Sequence, residues 1–94
     1  MNVVNIVMSF SSIKRETQET FDDSVKELVR IVKAHNEWIG KAFALVEDEK
    51  GNIVEKEVFL VTYEYNEETD TDVLNLWYDE KLMKSLGLSK VKID

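Results

Sequence analysis

The sequence has no cysteine and no proline, only three glycines and a single histidine. Without cysteine, disulfides, zinc–thiolate centres and thiol nucleophiles are excluded. A stable fold must then come from the core alone or from association with another chain. So few breakers over 94 residues point to long regular elements and no flexible linker. Glycines isolated at 40, 51 and 87 cannot form the loops that cradle phosphates. No apolar run nears the roughly 18–20 residues of a membrane span. Residues 1–12 lack the basic start and small-residue cleavage site of a signal peptide. The expectation is a cytoplasmic protein with no membrane partner. Gln18 is the only glutamine while glutamate and lysine abound, a bias compatible with a thermophilic source.

What is present suits one globular domain spanning 1–94, with 44% hydrophobic and 10% aromatic residues. Residues 2–10 are apolar on both faces and read as a buried strand. The polar stretch 11–19 reads as a connection or the beginning of a helix. Over 20–36, Phe21, Val25, Leu28, Val29 and Val32 follow helical spacing. Thr20 can cap that helix, and Asp22 and Asp23 suit its positive end. Residues 37–48 turn strand-like, and Gly51 marks a tight turn into a long second arm over 53–65. Residues 66–71 form a loop and 72–78 another strand. Residues 79–85 form a short helix with Gly87 at its end, and 88–93 are a candidate final edge strand. The fold class is α+β, ordered β-α-β-β-β-α, with a mainly antiparallel sheet and one long helix on one face. Residues 58–61 are apolar on both sides. Tyr63, Tyr65 and Trp77 are expected to share the face opposite Leu60. Such a face needs a cover. A second copy of the chain, making a homodimer, is the simplest candidate, and the terminal segments are the other.

Nineteen acids against twelve bases give a net charge of −7. The acidity is local. Residues 1–46 are neutral overall, 47–80 carry −10 and 81–94 carry +3. An acidic stretch can be a solvated surface, a docking patch for a basic protein, or a divalent-metal site. A calcium loop opening at Asp70 and Asp72 would put Asn75 where glycine is needed and Lys81 where glutamate is needed. A loop opening at Asp48 fails in the same way, with Ile53 and Phe59. No metal site and no cofactor are therefore expected.

Catalysis finds no foothold. His35 is the only histidine, and a serine triad would have to use it. No GxSxG accompanies it, and its position fits a helix end. The helix bases Lys26, Arg30 and Lys33 are interspersed with Asp23 and Glu27, as on a solvated face. Tyr63, Tyr65, Trp77 and Tyr78 could stack on bases of single-stranded nucleic acid. They lie inside the −10 segment, which repels phosphate, and so argue against a nucleic-acid partner. In size, acidity and lack of motifs the chain resembles the general run of small phage, archaeal-virus and mobile-element proteins. These include inhibitors of host nucleic-acid machinery. The likeness is one of composition and covers no motif.

The resulting expectation is a small, acidic, non-enzymatic protein-interaction module, an inhibitor or regulator. Its partner is another protein with a basic surface. The candidate contact residues are Glu64, Tyr65, Glu67, Glu68, Asp70, Asp72 and Trp77. The alternatives are a single-stranded nucleic-acid binder using an aromatic sheet face, and a structural homodimer.

Overall fold

In the computed structural model, residues 2–93 are described. The apolar run at the start of the chain forms strand β1, Asn2–Phe10. The chain reverses through Ser11, whose φ of 56° suits a two-residue hairpin turn, and returns as β2, Ile13–Thr17. This segment was expected to be a connection or early helix. Its strand state comes from pairing with β1, because its own side chains are almost all polar and exposed.

Helix α1, Phe21–Ala34, begins at Thr20, whose side chain accepts from the Asp23 backbone N–H at 3.1 Å. It ends at His35. There the ring bonds the Ile31 carbonyl at 2.9 Å and stacks on Trp38 with centroids 4.0 Å apart. Strand β3, Ile39–Glu47, and the long strand β4, Ile53–Asn66, form the next hairpin. At its turn the Asp48 carboxylate accepts from the backbone N–H groups of Lys50 and Asn52, both at 2.9 Å, and Gly51 takes a φ of 82°. These bonds, that from Asn52 foremost, hold the Asp48 carboxyl below its ordinary pKa. Strand β5, Thr71–Tyr78, and helix α2, Glu80–Leu86, complete the elements. Residues 88–93 form no strand.

The five strands are ordered β2-β1-β3-β4-β5, and every neighbouring pair is antiparallel. The fold is α+β. Strand β4 is longer than either neighbour and is staggered between them. It pairs with β3 over 53–62 and with β5 over 59–66, so only Phe59, Leu60, Val61 and Thr62 have strand partners on both sides.

One face of the sheet carries the core. Phe21, Val25, Leu28, Val29 and Val32 of α1 pack on Ile6, Met8, Phe10, Ala42, Ala44, Phe59 and Val61. Full burial of residues such as Val25, Leu28 and Val32 contributes about 1.5–3 kcal/mol each. The segment after α2 stays on this same side. Val91 is buried, its carbonyl accepts from the Tyr78 hydroxyl at 3.2 Å, and Lys92 and Ile93 border a groove against α1. The described terminal segment therefore does not cover the other face. That face carries Val7, Phe43, Leu45, Leu60 and Trp77, dressed by charge. Lys14 lies 5.0 Å from the Phe43 ring centroid and bonds Glu55 at 2.6 Å, and Lys41 pairs with Glu57 at 3.3 Å.

The helix seats on the sheet at Gly40. A methyl group there would lie 2.8 Å from a Val32 methyl and 2.9 Å from a Val61 methyl. Gly40→Ala is expected to lower stability by about 1–3 kcal/mol through overpacking. In a chain of this size that is about 4–8 °C in Tm for each kcal/mol. An unchanged melting curve would refute this seating.

Candidate acidic interface

Beyond residue 62 strand β4 has no β3 partner, and the turn after α1 takes its place. The Asn36 side-chain oxygen accepts from the backbone N–H of Tyr65 at 3.1 Å. Glu37, held at a φ of 74°, follows directly. The far end of the β4–β5 hairpin is thus tied to the end of α1 by one side chain. Between them lies an open concavity of about 710 Å³, bordered by Asn36, Glu37, Glu64, Tyr65, Glu67 and Glu68 among others.

Four carboxylates face this one opening. None of them has a cation within 4.0 Å among the described residues, whose ion pairs all lie elsewhere. The turn is built locally. Asn66 accepts from the Glu68 backbone N–H at 2.9 Å, and Asp70 takes the left-handed conformation with a φ of 51°. Two tyrosines brace it. The Tyr65 hydroxyl donates to Asp70 at 2.5 Å and the Tyr63 hydroxyl to Asp72 at 3.2 Å. The bond to Asp70, with some desolvation, raises the Tyr65 phenol above its ordinary pKa. Desolvation and then the Asp72 charge do the same for Tyr63.

The structure brings Glu64, Tyr65, Glu67 and Glu68 together around the concavity, with Asp70 and Asp72 behind the tyrosines. Trp77 stands apart. Leu60 pairs with Trp77, whereas Tyr63 pairs with Leu74 and Tyr65 with Asp72. Trp77 therefore shares the Leu60 face, and the two tyrosines lie on the helix side. The expectation that all three share one face is corrected by hairpin register. The pairing of Asn66 with Thr71 leaves a four-residue connection, so odd positions of β4 meet even positions of β5. The aromatic platform is split between two faces, with Tyr78 packed on Phe59 at 5.0 Å.

Asn36 and Glu37 were not among the expected contact residues. Asn36 closes the 20–36 segment in the sequence, and nothing local marks its bond to a strand 29 positions away. Among the described residues, no three histidine, aspartate or glutamate side chains converge to hold a metal ion. Lys26, Arg30 and Lys33 border the separate groove shared with Lys92. Compared with known proteins, the chain matches no family model, no curated protein and no solved structure.

The brace at the hairpin end is testable by titration. The Tyr65–Asp70 bond favours the protonated phenol. Its contribution is complete below the ordinary tyrosine pKa and is lost as pH rises through the raised value. Asp70→Asn is expected to move one tyrosine transition to lower pH in an ultraviolet absorbance titration. A curve superimposable on the parent's would rule the bond out.

Proposed function

We propose that the protein is a non-enzymatic interaction module that takes a lysine- or arginine-rich segment of another protein into the concavity beside the β4–β5 hairpin. It acts on that partner as an inhibitor or regulator. The observation that carries this reading is the gathering of Glu37, Glu64, Glu67 and Glu68 around one opening with no cation of the described chain beside them. Uncompensated carboxylates in a recess focus a negative field, which speeds encounter with cationic groups. Arginine forks bond carboxylates in pairs and gain geometry as well as attraction. The hydrogen bond from the Tyr65 backbone N–H to Asn36 joins the two walls of the recess. The division of the aromatic residues between two faces removes support from the nucleic-acid alternative.

The probe is a fluorescein-labelled octapeptide of alternating arginine and lysine, followed by anisotropy at several salt concentrations. Binding is expected to weaken steeply with salt. The variant E37Q/E64Q/E67Q/E68Q should lose about tenfold or more in affinity. A control with the same change of net charge, E16Q/E19Q/E47Q/E49Q, should lose far less. Equal losses in the two variants would reduce the effect to overall charge and refute the assigned recess.

A further inference from the structure

The two edges of the sheet are treated differently. Strand β2 closes one side with Lys14, Arg15 and Glu16, charges that discourage another strand from pairing there. The other edge, β5, has the sequence TDVLNLWY. It has no lysine, arginine or proline, and its register with β4 runs without a bulge over all eight residues. Alternate residues of such an edge point their N–H and C=O groups away from β4. No backbone hydrogen bond outside its own ladder satisfies them among the described residues. Apolar side chains flank this open edge on both faces. Val73 is 51% exposed and Trp77 46% on one face, and Leu76 is 37% exposed on the other.

We infer that β5 pairs antiparallel with β5 of a second copy of this chain, about a two-fold axis at Asn75, to make one ten-stranded sheet. The strand is self-complementary in that register. Val73 faces the partner's Trp77, Leu74 faces the partner's Leu76, and Asn75 faces the partner's Asn75. The one charge in the strand, Asp72, faces the hydroxyl-bearing ring of the partner's Tyr78. Shifting the axis to Leu74 would instead set Asp72 against a leucine.

Face-to-face packing of the open sheet surfaces is the rival arrangement. It would take the Lys14–Glu55 and Lys41–Glu57 pairs out of water, at a cost their attraction does not recover. Edge pairing leaves both pairs undisturbed. It meets the acidic recess only along its Thr71 and Val73 border and leaves the side formed by Asn36, Glu37 and Glu64 open. Mass and cross-linking test the pairing and peptide binding tests the recess, so the two proposals fail separately.

Light scattering on the full chain over a hundredfold concentration range, about 5–500 µM, tests the association. The expected mass at the upper end is twice 10.9 kDa. Asn75→Lys, at an exposed position, should return the mass to 10.9 kDa with an unchanged circular dichroism spectrum. The register is read by disulfide trapping, which is clean because the chain has no cysteine of its own. Opposed residues have Cα atoms about 4.5–5.5 Å apart, within disulfide reach. Asn75→Cys should cross-link under mild oxidation at low micromolar protein. Val73→Cys should not, its copies lying roughly 13 Å apart. A monomer at every concentration would overturn the inference. So would a dimer that survives Asn75→Lys and dissociates with Leu45→Lys, and so would equal trapping of both cysteine variants.

Discussion

Helix α1 can lie as close to the sheet as it does because the central strand offers it almost nothing to climb over. Along β3 the inward positions Gly40, Ala42 and Ala44 are small, only Val46 near the strand end is larger, and all four are buried. Larger side chains on the flanking strands, Met8 and Phe10 on one side and Phe59 and Val61 on the other, then close around the helix like walls. Close packing of this kind tolerates little change in volume. The position of the helix end follows from it, and so does the placing of Asn36 beside β4. The acidic recess is thus a remote consequence of small residues in the middle of the sheet.

Much of this architecture was legible beforehand. The helix declared itself through its apolar spacing, its Thr20 cap and its acidic first turn. The β3–β4 hairpin declared itself through Gly51. Within β4 taken singly, Tyr63 and Tyr65 share the face opposite Leu60, as expected. What failed was the relation between strands. Side-chain alternation says which residues share a face within one strand. Only turn length says which face of the next strand joins them, and the four-residue connection after Asn66 sent Trp77 to the side away from Tyr63. Strand β2 was hidden for a different reason. Its residues are polar and exposed, so the edge of β1 made it a strand and its own composition did not.

The candidate site was legible in its acids and illegible in its shape. Five of the seven expected contact residues are carboxylates in one charge-biased stretch, which composition exposes directly. Their gathering around a recess depends on the loop after α1, and such long-range contacts leave no local mark. The hairpin that results has two unlike flanks. The β4 side presents carboxylates gathered around a recess. The β5 side presents unpaired backbone between apolar side chains. Under the two proposals the first would recognise sign and distance, and the second another extended chain.

The stagger of β4 also divides the molecule in time. Within β4 only the four residues from Phe59 to Thr62 are locked by strands on both sides, and two of them, Phe59 and Val61, are fully buried in the core. Beyond them the outer ribbon of β4 and β5 rests on ladder bonds, two tyrosine braces and one asparagine tie. Such a segment opens and recloses as a small cooperative unit well below the free energy of global unfolding. Its amides would trade hydrogen for deuterium long before those of β1, β3 or α1. A ligand seated in the recess would slow that exchange first, reporting its arrival at the loosest part of the fold.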